Sequence, residues 1–137
     1  MPVRGLDHLA LTCADPEATL DFYRRVLGAE THFEELWREG KIPVVILQVG
    51  ESRLSIHSAA APAEPHARVP KAGSGDFCFR FDGPIAEAAK MLTDAGVEVE
   101  LGPVPRPAAD GAGGQSVYFR DPDPVSYTHL RAHETKT

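Results

Sequence analysis

The first half of this chain repeats in the second half without a gap. Gly28 falls on Gly96 and His8 falls on Asp76, at a constant offset of 68 positions (96 − 28 = 68 and 76 − 8 = 68). Each copy starts with a strand pattern, turns, and continues as an amphipathic helix that ends at glycine. A duplicated unit of this kind places its two first strands side by side around a pseudo-twofold axis. We therefore expect His8 and Asp76 to face one shared cavity, where histidine and carboxylate would suit a metal ion.

Both halves follow the pattern βαβββ. Alternation and turn signals predict strands at residues 6–13, 31–38, 43–49 and 53–58 of the first half and at 76–81, 97–101 and 115–119 of the second, with a final strand after residue 124. The helices are predicted from Asp15 to Gly28 and from Gly83 to Gly96, the first with a favoured N-cap and Pro16 at its first position. Residues 59–74 form an Ala- and Pro-rich connector, and residues 102–114 a long loop beside a site.

The predicted fold class is α+β. Two βαβββ modules, residues 5–58 and 75–124, would form a curved mixed sheet around a cavity with the helices outside. At 137 residues the chain has the size of one domain, which we place at residues 1–124. Because a single pair of modules leaves strand edges exposed, we also expect a homodimer with twofold symmetry.

Composition argues against several kinds of partner. The 20 acidic and 14 basic residues give a net charge of −6, which argues against nucleic acid or an anionic membrane as the main partner but does not exclude a local basic patch. The chain contains no apolar run approaching the ~20 residues of a membrane span and no signal-peptide core at its start. Cys13 and Cys78 lie in apolar strand patterns, so we expect buried free thiols and a reducing cytoplasm.

Two stretches of sequence resemble the vicinal oxygen chelate superfamily. The first is the run at residues 6–12, followed by Asp-Phe-Tyr at 21–23 and Val-Leu-Gly at 26–28; the second is Gly-Pro-Val at 102–104 with Arg106 and the run at 116–123. The superfamily includes glyoxalase I, extradiol dioxygenases, fosfomycin-resistance thiol transferases and bleomycin-binding proteins. Within it, the likeness is greatest to the small single-domain glyoxalase-like branch. The resemblance covers most of residues 5–124 and implies the fold more specifically than the reaction.

The resemblance also implies a metal site. Ligands in this superfamily come from the first and last strand of each module, which assigns His8, His57 and Asp76 to that role. The strand register does not decide between His57 and Ser55 for the ligand position, because both side chains lie on the same face of the predicted strand. The alternative for His8 is a half-buried strand histidine bonded to the backbone. The implied cofactor is a divalent metal ion (Mn, Fe, Ni, Co or Zn), with Asp76 as ligand, general base or backbone-bonded carboxylate.

The last segment departs from this pattern. The fourth ligand is normally a glutamate, and counting from Asp123 puts Thr128 in its place. We interpret residues 125–137 as a non-native tail in place of the last strand. Tyr127 and His129 alternate with Val125, however, so the segment could still dock as a substitute strand and offer an imidazole.

Two functions remain open. The first is a metal-dependent enzyme, a glyoxalase-like lyase or isomerase or a dioxygenase, acting on a small molecule with vicinal oxygens. The second is a metal-free small-molecule (drug) binding protein of the bleomycin-resistance type. For either function Arg106 and Tyr118 are candidates for substrate contact, since a guanidinium suits a carboxylate or phosphate. The alternative for Arg106 is a solvated loop side chain.

Overall fold

Each half of the chain forms its own four-stranded mixed sheet. The computed structural model describes residues 2–61, 71, 76–106, 113–123 and 127–133, without the side chains of Tyr127 and His133. The described chain divides into two units, Met1–Ser74 and Gly75–Thr137. Most of the connector predicted at 59–74 and part of the loop predicted at 102–114 lie outside the described residues.

The two units have the same arrangement of strands. The first contains β1 (Leu9–Cys13), α1 (Pro16–Leu27), β2 (Glu30–His32), α2 (Glu34–Arg38), β3 (Val45–Val49) and β4 (Ser52–Ser58). The second contains β5 (Asp76–Arg80), α3 (Ile85–Asp94), β6 (Leu101–Pro105), β7 (Gly114–Phe119) and β8 (Tyr127–His133). The strand orders are β1-β4-β3-β2 and β5-β8-β7-β6. In both sheets the fourth strand lies between the first, to which it is parallel, and the third, to which it is antiparallel. The predicted pair of βαβββ modules is confirmed.

The first helix is bounded by the residues that the sequence predicted. The Asp15 side chain accepts a hydrogen bond from the Ala18 amide (3.3 Å), and Pro16 occupies the first turn. Gly28 ends the helix in the left-handed conformation (φ 66°), which glycine adopts without steric cost. In the second copy the residue equivalent to Asp15 is Gly83, so α3 begins after Pro84 with no side-chain cap.

Two predicted strands were wrong. Residues 31–38 form the short β2 and then α2, because Glu-Glu-Leu-Trp-Arg is a run of fair to good helix formers and Arg38 pairs with Glu34 one turn back (3.2 Å). The strand predicted at residues 97–101 starts only at Leu101 and runs to Pro105, into the predicted loop. Its two prolines are tolerated because β6 lies at the edge of its sheet, where an amide is not needed on the solvent side.

Each sheet has one buried face. In the first unit Leu11, Val45 and Ile56 are almost fully buried on the face that packs against α1. In the second unit Val117, Phe119 and Leu130 occupy the face that packs against α3. Since side chains alternate along a strand, the residues between them point to the other side, which we call the open face of each sheet.

The atypical C-terminal segment takes the place of a last strand. Residues 127–133 pair with β5 on one side and β7 on the other, as β8. The prediction of a final strand after residue 124 is therefore confirmed, and so is the alternative that this segment docks as a substitute. No helix in the described ranges has the length and apolar character that crossing a membrane requires.

Candidate functional site

The open face of the second sheet gathers most of the chemistry predicted for this unit. Across its strands Cys78 lies opposite His129, and His129 lies opposite Tyr118. Asp76 precedes Cys78 on the same face of β5 and is exposed. Three neighbouring strands thus place a carboxylate, a thiol, an imidazole and a phenol on one surface.

Three planar groups lie in a row on this face. The rings of Tyr118 and His129 are stacked, with centroids 4.5 Å apart and an angle of 28° between the planes. The guanidinium of Arg106, just past β6, lies 5.9 Å from the centre of the Tyr118 ring. This distance is within the range of a cation–π contact. The predicted substrate residues Arg106 and Tyr118 therefore do lie together, and His129 joins them from the atypical strand.

His129 is neutral at physiological pH. Burial lowers the pKa of its imidazole, and the positive charges of Arg131 and Arg106 lower it further, whereas the carboxylate of Asp76 acts in the opposite direction. Its Nδ1 is buried without a hydrogen-bond partner in the described part of the chain. A neutral ring stacks on a planar group without the desolvation cost that a charged imidazolium would carry.

Cys78 corrects one sequence prediction. Cys13 is a fully buried free thiol as expected, but Cys78 is a free thiol on the open face and is exposed. Partial desolvation, and to a smaller extent the charge of Asp76, raise the pKa of Cys78, while Arg131 acts against them. The thiol is thus protonated at neutral pH and poorly suited to act as a nucleophile.

Thr128 does not lie where counting from Asp123 placed it. It pairs with Phe77 on β5 and Phe119 on β7, on the face that packs against α3, and its side chain is fully buried. The residue on the face of Asp76 is instead His129. Moving by one residue along a strand brings a side chain to the opposite face of the sheet. The predicted ligand position, Thr128, therefore differs by one residue from His129, which lies on the face of Asp76.

The other predicted metal ligands lie on the first unit. His8 immediately precedes β1 and is exposed, and its Nδ1 lies 3.0 Å from a carboxylate oxygen of Asp7. The hydrogen bond to His8 and the attraction of its charged form lower the pKa of Asp7.

The structure does not bring His8 and His57 together. His57 pairs with Thr12, and Ser55, whose hydroxyl lies 3.3 Å from Nε2 of His57, pairs with Ala10. His57 is therefore level with a residue four positions beyond His8, about 13 Å along the strand at ~3.3 Å per residue. Two nitrogens bound to one metal ion lie only about 4 Å apart.

The predicted metal ligands are divided between the two units, with His8 and His57 in the first and Asp76 in the second. Within the described ranges no three His, Cys, Asp or Glu side chains form a group that could hold one. On β8 the neutral imidazole of His129 lies on the same face as Asp76, opposite Cys78. We accordingly assign no chemical step to a metal.

Sequence reasoning missed three residues of the open face. Arg80 and Arg131 are paired across β5 and β8, and Ser116 lies opposite Arg131 on β7. The signal that could have identified them is simple alternation. Arg80 is four residues from Asp76 along one strand, and Arg131 is two residues from His129 along another.

Comparison with known proteins decides the family. The model of the glyoxalase/bleomycin resistance protein/dioxygenase superfamily matches residues 5–125. The chain belongs to this superfamily. The match ends where the atypical segment begins, and it agrees with the resemblance seen in the sequence. Members of the superfamily share the fold seen in both units, so the vicinal oxygen chelate fold is established for this chain.

Relatives within the superfamily include proteins of several kinds. The chain is 38% identical over 90% of its length to a glyoxalase domain-containing protein, RDO1, of Mycosarcoma maydis, and it spans 65% of that relative's length. It is 34% identical to the solved integron cassette protein VCH_CASS1 of V. Cholerae (TM-score 0.84, 98% of each chain). It is 30% identical to the solved virulence protein STM3117 of Salmonella typhimurium (TM-score 0.85, 98% of this chain and 100% of the other).

More distant solved structures share the fold. A lactoylglutathione lyase from Agrobacterium tumefaciens is 25% identical (TM-score 0.69, 96% of each chain). An antibiotic-binding protein from Streptomyces, TnmS3, shares the fold at 18% identity (TM-score 0.74, 98% of this chain and 99% of the other).

Proposed function

We propose that this chain is a small-molecule binding protein that takes a planar ligand on the open face of its second sheet. The observation that supports the proposal is the stacked pair of Tyr118 and His129, with Arg106 beside it. Such a row offers stacking and cation–π contacts to a flat molecule. The neutral imidazole and the protonated thiol of Cys78 keep the centre of the face free of net charge.

This proposal matches the metal-free alternative derived from the sequence. Binding sites for small molecules combine apolar or aromatic contact area with a few polar groups that fix orientation. Here the polar groups are Asp76 at one end of the face and the guanidinium of Arg106 at the other. A cytoplasmic homodimer remains our expectation for its assembly and location.

Titration with planar probes tests this function. We would follow binding of fluorinated aromatic fragments by ¹⁹F NMR and compare the protein with Tyr118→Ala and His129→Ala. Each substitution removes part of the ring row and should weaken binding at least fivefold. Phe33→Ala is the matched control, since Phe33 is an exposed aromatic residue of the first unit. Fragments that bind all four proteins equally, or that bind none, would contradict the proposal.

A metal-dependent lyase, isomerase or dioxygenase is the second candidate function. One observation favours it, the hydrogen bond between His8 and Asp7. Histidines that bind metals commonly donate a hydrogen bond from their second ring N–H to a carboxylate. This bond orients the ring and increases the basicity of the imidazole. In this candidate Asp76 keeps its predicted role as ligand or general base.

Metal titration separates the two candidates. If His8 binds a metal, His8→Ala and Asp7→Asn should both reduce the affinity for Ni²⁺ or Mn²⁺ measured by calorimetry. His32→Ala provides a control, because His32 is a histidine of the same unit that is bonded to Gln48 (2.7 Å). Metal binding that is equally affected by all three substitutions would leave the second candidate without support.

A further inference from the structure

The open face of the second sheet is positively charged at one end. Arg80 and Arg131 are paired across β5 and β8, and an Nη of Arg131 lies 3.4 Å from the carbonyl oxygen of Arg106. Arg80, Arg106 and Arg131 thus lie at one corner of the sheet, in a protein whose net charge is −6. Asp76, the acidic residue of the same face of β5, lies four residues from Arg80, about 13 Å at the usual strand rise.

The exposed arginines of this corner differ from most other arginines of the chain. Arg24, Arg25, Arg38 and Arg120 each form an ion pair with a nearby carboxylate. In the part of the chain that the structure describes, Arg80 and Arg106 have no carboxylate partner. The exposed guanidinium groups of Arg80 and Arg106 are therefore available to an anion from solution.

Arg131 is held in this corner by the packing of the sheet. Arg131 is only 6% exposed, although it carries a charge. Its guanidinium lies against Gly114, where a Cβ atom would come within 2.6 Å of an Nη atom. The absence of a side chain at Gly114 therefore leaves the space that the guanidinium of Arg131 occupies.

A hydroxyl group points into the same corner. Ser116 lies opposite Arg131 on β7 and is fully buried, and its Oγ has no hydrogen-bond partner among the described residues. Burial of a hydroxyl without a hydrogen-bond partner is unfavourable. An oxyanion bound beside Arg131 would accept a hydrogen bond from this group and remove that cost.

We propose that this corner, Arg80, Arg106 and Arg131 with Ser116, binds the oxyanion of the planar ligand, so that the ligand is an aromatic carboxylate, phosphate or phosphonate. The inference rests on the proposed function, since the ring of the ligand would lie on Tyr118 and His129. Guanidinium groups bind carboxylate and phosphate oxygens through paired, charge-assisted hydrogen bonds. One of these residues, Arg131, lies on the atypical strand β8.

Two probes of one shape test the charge requirement. Phenylphosphonate carries an oxyanion on a phenyl ring, and benzamide carries a neutral polar group on the same ring. We expect amide chemical shifts in an NMR titration at low salt to give at least tenfold tighter binding of phenylphosphonate, about 1.4 kcal/mol. Arg80→Gln and Arg106→Gln should each reduce that preference threefold or more. Arg25→Gln, which removes the same charge from the exposed surface of α1, should leave it unchanged.

The outcomes distinguish the inference from the proposed function. Equal binding of the two probes, or a preference that survives in the Arg80→Gln/Arg106→Gln double variant, would overturn the anion site and leave a planar-ligand site in place. Binding of neither probe would overturn both. Arg80 and Arg106 are exposed, so these variants should fold even if a substitution of buried Arg131 does not.

Discussion

His129 couples the proposed ligand face to pH. Its folded-state pKa lies below the ordinary histidine value of 6.5, mainly because the ring is partly buried and also because Arg131 and Arg106 are near. As the pH falls below about 6.5, the unfolded chain takes up a proton at this position before the folded chain does. The contribution of His129 to stability is thus complete above pH 6.5 and is lost as the pH falls toward the folded-state pKa.

We predict that His129→Phe makes the protein less sensitive to acid. Phenylalanine keeps a ring beside Tyr118 and removes the titrating group, while Asp76, Cys78 and the two arginines remain. The free energy of unfolding, measured in urea at pH 7.5 and at pH 5.5, should fall less between the two values in the variant. The other histidines are present in both proteins, so their contribution cancels. An equal or larger fall in the variant would show that His129 titrates normally.

Thr128 carries a buried hydroxyl on the packed face of β8. It is fully buried between Phe77 and Phe119, and its hydroxyl has no partner among the described residues. We predict that Thr128→Val raises the free energy of unfolding by about 1 kcal/mol, because a methyl group of similar size replaces the unsatisfied hydroxyl. Urea unfolding at neutral pH would measure the difference.

Thr93→Val is the matched control for this substitution. The hydroxyl of Thr93 donates to the carbonyl oxygen of Ala89 (3.0 Å), on the exposed surface of α3. Loss of the Thr93 hydrogen bond should not stabilise the protein. A stabilisation of the same size in both variants would point to a general preference for valine and not to the buried hydroxyl of Thr128.

At the scale of elements, the register of β8 decides which side chain serves the ligand face. If His129 lies on the same face as Asp76, then His129→Glu places a second carboxylate on that face, whereas Thr128→Glu buries a carboxylate against α3. We predict that His129→Glu raises the affinity for Mn²⁺ at least tenfold in calorimetric titration. Thr128→Glu should instead lower the melting temperature strongly, since burying an unpaired charge costs several kcal/mol.

The reverse pattern would contradict the register. If Thr128→Glu gained metal affinity and remained stable, then residue 128 would face Asp76, as counting from Asp123 had predicted.

The sequence predicted those elements whose signals are local. For α1, the capping Asp15, Pro16 and the final Gly28 act within a few residues of the helix, so both ends were correct. Residues 34–38 were misassigned because the strand predicted from Thr31 was extended up to the turn at residues 39–41. The pair of Arg38 with Glu34 is local and could have indicated the helix, whereas the contact of Arg38 with Glu17 on α1 is visible only in three dimensions.

The candidate site was predicted in part for the same reason. Arg106 and Tyr118 were found from the resemblance and do lie together. The position of Thr128 was derived by counting through a turn, and one residue more or fewer in a turn exchanges the two faces of the strand that follows. Arg80 and Arg131 were missed because their proximity arises from strand pairing between segments about 50 residues apart.

At the scale of the whole molecule, the strand edges remain the basis for predicting assembly. In the first sheet β1 and β2 are the end strands, and in the second β5 and β6 are. Exposed edges invite pairing with another chain, and closed twofold dimers are the commonest way in which proteins use such surfaces. We predict a homodimer, so that light scattering at micromolar concentration should give a mass near twice 14.8 kDa. A mass of one chain across the accessible concentration range would contradict the prediction.

The insertion of each fourth strand between the first and the third has a consequence for protein synthesis. On the ribosome β5 emerges about 50 residues before β8, the strand with which it pairs. β7 also lacks one of its two neighbouring strands until β8 has been synthesised. During that interval the second sheet has an open slot with unsatisfied amides and carbonyls on both sides. Such slots are where nascent chains aggregate or recruit chaperones. A change in β8 would therefore reduce the yield of soluble protein in cells by more than its effect on the purified fold suggests.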